Sequence, residues 1–310
     1  MRYSLPAAAL FYFATSVFAA GKAPEKSAVG VDKDVDAETR EFRSGGYLVR
    51  VHQEETAEDF QHWWFEVRSD GRRIFKSERA HGYDLEAEHH DNVRLKPGAD
   101  LTGDGRPNLV VGRVEGGNIC WKTVIVYELN PTAVKELQRI KLCNGNLWFR
   151  DLDSDGFPEI VVRKAFAMEL SGVYLDLYTD VVLKWADGRY RFSDGLMRKP
   201  TPSAEAVAEE AARLAVTDET LWEDDHCPHD GSNTECRARR YLFETMIDWM
   251  ISGNAHQAFQ LYRAAWPDEV EGKKDVLAAF RARMREYKKF WRNVLRMNSK
   301  REGSGRRSFP

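Results

Sequence analysis

Between Tyr47 and about Phe192 the chain is a succession of short runs in which apolar and polar residues alternate, the period of a half-buried strand. The clearest are YLVRV at 47–51, HWWFEV at 62–67, RRIFKS at 72–77 and VYLDLYTDVVLKW at 173–185, together with strands carrying Val110-Val111 and Val161-Val162. Asp70-Gly71 and Asp187-Gly188 lie between such runs and predict two-residue hairpin turns. From Ser203 onward the apolar period lengthens to that of helices. Ser203 is placed to cap a helix reaching about Val216, a second helix spans about Arg237 to Ser252 and stops at Gly253-Asn254, and a third runs from Ala255 to Trp266, ended by Pro267. A last helix is expected from Lys273 to Leu295 with Val276, Phe280, Met284, Tyr287, Trp291 and Val294 on one face. The fold class is α+β: an antiparallel, β-rich domain over residues 47–200, then a small helical domain over 201–297 with one helical hairpin. Residues 21–46 have no apolar period and read as a linker, and 298–310 as a disordered basic tail.

Two segments interrupt the strands in the same way. DLTGDGRPNLVV runs from Asp100 to Val111 and DLDSDGFPEIVV from Asp151 to Val162, an offset of 51 residues. Alternate oxygen-bearing residues on a sharply turning segment suit a hard cation that takes six to eight oxygen ligands. In the second loop Asp151, Asp153 and Asp155 supply carboxylates, the carbonyl of Phe157 adds an oxygen, and Glu159 closes the shell. The first loop offers Asp100 and Asp104, the neutral oxygens of Thr102 and Asn108, and Arg106 at the position of Phe157. Affinity follows ligand charge, so the second loop is expected to bind Ca2+ more tightly. The plain alternative is that both are ordinary Asp-Gly turns.

The twelfth positions are Val111 and Val162, so the bidentate glutamate of an EF-hand is absent. With the closing oxygen at the ninth position and a Val-Val strand behind it, each loop resembles the calcium loop of FG-GAP and VCBS-type repeats, the blades of integrin-like propellers. The resemblance implies calcium as cofactor and one four-stranded sheet per repeat. The segment has room for two or three such units, too few for a closed propeller, so an open assembly is expected. WADGRYRF at 185–192 and ISGNAHQAF at 251–259 add to a resemblance to exported bacterial proteins that carry such repeats and have no assigned reaction. Gly253, Ala258, Tyr262 and Ala265, with Trp249 before them, resemble one tetratricopeptide-like hairpin, and a single hairpin makes no peptide groove.

Arg2, the apolar run from Leu5 to Ala20 and the small residues at Ala19 and Ala20 read as a secretory signal over residues 1–20, which places the mature chain in the periplasm or outside the cell. Four cysteines in an exported chain suggest two disulfides. A hairpin centred on Asn130 to Ala133 sets Cys120 opposite Cys143 and leaves Cys227 to pair with Cys236. Zinc is the alternative for the latter two, because His226 and His229 stand beside Cys227.

The total formal charge is −3, but Lys273 to Pro310 holds thirteen Lys or Arg against three Asp or Glu, so the 272 residues before it carry −13. No nucleic-acid recognition motif accompanies the basic end, and nucleic acid is not an expected partner. Membrane contact through the basic helix is the weaker of two readings, the other being that its apolar face packs on the helical hairpin. The sequence has no GxSxG elbow, P-loop, HExxH or dinucleotide fingerprint. A hydrolase reading rests on His89, His90 and Asp91. The leading expectation is an exported binding module stapled by calcium, whose partner is an envelope or extracellular protein or glycan.

Overall fold

A computed structural model describes residues 39–55, 61–84, 95–115, 122–143, 145–170, 173–215, 234–268 and 272–299. The strands form three four-stranded antiparallel sheets, each a meander of consecutive strands. The first contains β1 (Thr39–Ser44), β2 (Tyr47–Glu55), β3 (Gln61–Ser69) and β4 (Arg72–Lys76). The second contains β5 (Gly82–Asp84), β6 (Asn108–Val114), β7 (Lys122–Asn130) and β8 (Ala133–Leu142). The third contains β9 (Leu147–Arg150), β10 (Glu159–Leu170), β11 (Val173–Ala186) and β12 (Arg189–Phe192). The helices follow: α1 (Asp194–Met197), α2 (Ala204–Arg213), α3 (Thr234–Ile251), α4 (Ala255–Ala265), α5 (Lys273–Glu286) and α6 (Lys288–Ser299). The fold is α+β, with the helices toward the C-terminal end.

Burial explains the order of the layers. Val49, Val51, Phe65 and Val67 of the first sheet share a core with Leu109, Val111, Ile125 and Tyr127 of the second. The opposite face of the second sheet, through Val110, Val124 and Val126, packs on Phe149, Ile160, Val162 and Tyr190 of the third. A sheet covered on both sides needs apolar residues at consecutive positions, which is why Leu109-Val110-Val111 and Val124-Ile125-Val126 do not alternate. The other side of the third sheet, with Val161, Phe166, Leu175 and Leu177, shares the largest core with all six helices, including Trp266, Tyr262 and Phe280 at 0% exposure.

Both Asp-Gly turns form as expected, with Asp70 at φ 48° and Asp187 at φ 50°, the left-handed values that match the twist of a hairpin. Ser203 caps α2, its hydroxyl accepting from the Ala206 amide at 3.2 Å. Other expectations need correction. Part of the presumed linker is β1, with Phe42 opposite Val49 and packed on the first core. Its lone apolar side chain leaves no period to detect. The last helix is two helices, broken at Tyr287, whose ψ of 59° is not helical. The tail does not begin at Asn298: that residue lies in α6, 6% exposed, and its amide donates to the carbonyls of Met250 and Val294 while its oxygen accepts from Ala255 N. Residues 300–310 lie outside the described residues. The Asn130 hairpin forms, but a bulge between Val126 and Tyr127 shifts its register by one, so Leu142 faces Lys122 at the open end rather than Trp121.

Candidate metal centre

Each acidic loop joins the first strand of its sheet to the second, the Asp100 loop before β6 and the Asp151 loop before β10. The turn between β1 and β2 holds the same place in the first sheet. These connections lie side by side. A Cβ on Gly98 would stand 2.1 Å from Gly45 N, and one on Gly103 would stand 3.1 Å from the Phe157 ring. Only glycine permits the first of these approaches.

The second loop brings three of its predicted ligands together. Oxygens of Asp151, Asp153 and Glu159 all lie within 4.8 Å of one another, and they are the one such acidic group among the described residues. The backbone shapes it: Asp151 accepts the amides of Asp155 at 3.2 Å and Gly156 at 3.0 Å, and Asp155 accepts that of Phe157 at 2.9 Å. Gly156 turns the chain at φ 90°. Glu159 is the buried member, with its side chain 1% exposed, and its Oε2 accepts the Leu152 amide at 2.8 Å. Asp155 is not in the group of three. Its carboxylate turns to Lys184, and the Phe157 ring lies over Gly103.

Sequence reasoning missed Lys184. Its ammonium donates to Asp153, to Asp155 Oδ2 at 2.7 Å, and lies 3.1 Å from Glu159 Oε1. Burial alone pulls the ammonium down, but the three carboxylates outweigh it and hold the lysine above its ordinary value. Lys184, followed by the Phe157 amide, in turn holds Asp155 below the usual carboxylate range. No local signal marks this lysine, because the antiparallel pairing of β10 with β11 is what carries it to the loop.

The first loop spends the same positions differently. Asp100 accepts the amides of Thr102, Gly103 and Gly105 at 3.0, 2.8 and 2.7 Å and the Thr102 hydroxyl at 3.2 Å. Asp104 accepts the Arg106 amide at 3.0 Å. Asn108 stands where the second loop has Glu159, and it accepts the Leu101 amide at 2.7 Å. The Arg106 guanidinium reaches Glu128 Oε1 at 2.9 Å. The predicted ligands Asp100, Thr102, Asp104, Arg106 and Asn108 therefore sit in one hydrogen-bonded turn, which carries fewer carboxylates than the second loop. Partial burial pushes the Asp100 carboxyl up, yet the amides of Gly105, Thr102 and Gly103 together hold it below the usual range. A carboxyl depressed by folding stabilises above its unfolded pKa and loses that contribution as pH falls through its folded value. Asp100→Ala is expected to cost about 1–3 kcal/mol near neutrality, with the gap to the parent closing as pH falls below the usual carboxylate range; thermal melts across pH read both.

The remaining sequence expectations fall elsewhere. Cys143 is disulfide-bonded, while Cys120 and Cys227 lie outside the described residues, as do His226, His229, His89, His90 and Asp91, and only the backbone of Cys236 is described. The signal segment also lies outside them, and among the described residues no helix is long and apolar enough to cross a membrane. A cavity of about 240 Å³ opens between β11 and α3, with Arg163, Thr179, Asp180, Lys199 and Asp248 in its wall. Asp248 is raised by burial and accepts a bond from Thr179. On the outer face of the first sheet the Trp64 ring stacks on His52 at 3.8 Å, with the Lys76 ammonium 4.1 Å from its centroid.

No family model matches the chain, and neither the curated proteins nor the solved structures give a match.

Proposed function

We propose that the chain is an exported binding module whose third sheet is braced at residues 151–159 by a divalent cation, calcium. The convergence of Asp151, Asp153 and Glu159 oxygens within 4.8 Å carries the reading. The donors are all carboxylate oxygens, the chemistry that favours calcium or magnesium over thiol- and imidazole-seeking metals. The ion's part is structural: it draws the loop ahead of β10 and the buried Glu159 onto one centre and offsets their charge. The first loop is the metal-independent counterpart.

The binding role draws on the surface. Trp64, held between His52 and Lys76 on a polar sheet face, gives that face a mixed aromatic and basic character suited to a glycan or an envelope protein. The basic C-terminal helices offer less, because Phe280 is at 0% exposure and Trp291 packs against the helical core, so the apolar face a membrane contact needs is already used.

Calorimetric titration with calcium and thermal melting with and without chelator test the reading. Calcium at about a hundredfold over its Kd is expected to stabilise the parent by about 2.7 kcal/mol. Asp153→Ala removes the response, and Asp104→Ala keeps it. A melt indifferent to calcium, chelator and Asp153→Ala alike refutes the structural ion.

A further inference from the structure

The cation position of the second loop already has a tenant. We infer that Lys184 is a tethered counter-cation, and that a divalent ion enters only by displacing its ammonium from Asp153, Asp155 and Glu159. This rests on the cation reading above and names how that site is regulated.

Two observations carry it. The first is the placement: one ammonium, delivered from a different strand, contacts three acids of the loop. The second comes from the other loop, where the same strand positions carry reversed charge. Asn108 faces Glu128 across β6 and β7. Ile160 faces Leu183 across β10 and β11, which sets Glu159 beside Lys184. In the second sheet the cation, Arg106, is in the loop and the acid, Glu128, is on the neighbouring strand. In the third sheet the acids are in the loop and the cation is on the strand. Each loop is thus tied by an ion pair to the strand next to it, with the signs exchanged. Compensation is only partial in the third sheet, because one ammonium stands against the carboxylates of Asp151, Asp153, Asp155 and Glu159. That residual charge is what a divalent ion gains by replacing it. The lysine is also free to leave: its side chain is 31% exposed, and a flexible four-carbon stem lets the ammonium swing into water.

The exchange makes the loop a two-state element. At low calcium Lys184 closes it; at high calcium the ion closes it and the lysine becomes solvent-exposed. Chelation then returns the loop to its lysine-closed form, so the parent stays folded in either state.

The test is calcium titration of the parent and of Lys184→Met, with Lys184→Gln as a second variant that keeps hydrogen-bonding capacity. Both variants are expected to bind calcium about tenfold or more tightly than the parent, since their ligand charge is no longer offset. They are also expected to gain more stability from calcium, and to lose more on chelation, than the parent does. Equal affinities overturn the displacement and leave the cation reading standing. Absence of calcium binding in the parent and in both variants removes the cation reading and the displacement with it. Amine acetylation of the parent, read by mass spectrometry, needs no variant. Calcium is expected to raise the labelling rate of Lys184 by about tenfold relative to the exposed Lys141, and an unchanged ratio overturns the proposal.

Discussion

Phe166→Ala is expected to lower stability by about 3–5 kcal/mol and to melt the third sheet and the helices together. Phe166 lies in β10 at 0% exposure, yet its ring partners belong to the helical layer: Tyr287, at the break between α5 and α6, with centroids 5.0 Å away, and Phe290 of α6 at 4.6 Å. The Lys164 ammonium lies 5.4 Å from the same ring, and burial lowers that lysine below its ordinary value. Truncation therefore opens a cavity where β10 meets α5 and α6, and the surrounding aromatic rings are too rigid to close it. Urea unfolding followed by far-ultraviolet circular dichroism and by tryptophan fluorescence checks both parts. Coincident transitions shifted to lower denaturant are the expected result, whereas a fluorescence transition that separates from the helical one would show that the helices hold without the sheet.

What could be read from the chain was what neighbouring residues decide among themselves. Asp70-Gly71 and Asp187-Gly188 specify their own left-handed backbone, and Ser203 needs only the amide of Ala206 to begin α2. The alternation in β2 and β3 marks which residues face the first core, and the Val-Val pairs mark strands whose two faces are both covered. Elements defined by a partner were invisible. β5 and β9 span three and four residues, too short for any period, and exist as ladders against β6 and β10. β1 has one core residue, and Asn298 earns its burial from α3 and α4, far away in sequence. The candidate site divides the same way. The carboxylates of Asp151, Asp153 and Glu159 lie within nine residues and could be named from their spacing. Their cation lies on β11 and could not. Nor could the pairing of Arg106 with Glu128 at the first loop, because Glu128 reaches it only through the ladder of β6 with β7.

Glu159 is where the loop, the strand and the ammonium meet, so its removal is the larger perturbation of the acidic centre. In the absence of calcium Glu159→Ala is expected to cost about 2–4 kcal/mol, because it strands a loop amide and one face of an ion pair at once. Asp153→Ala should cost well under that, since Asp153 is exposed and water replaces its contact with Lys184. The first loop supplies the discriminating variant. Asn108 already holds the Leu101 amide at 2.7 Å from the position equivalent to Glu159, so Glu159→Asn is expected to keep the bond to Leu152 and recover part of the loss. It surrenders the charge, however, and with it both the grip on Lys184 and the response to calcium. Denaturant titrations of the three variants with and without calcium separate the two functions of this side chain. The expected order of stability without the ion is Asp153→Ala above Glu159→Asn above Glu159→Ala. A Glu159→Ala protein as stable as the parent to within about 0.5 kcal/mol would mean that the buried carboxylate contributes no more than an exposed one, and the centre could not be built around it.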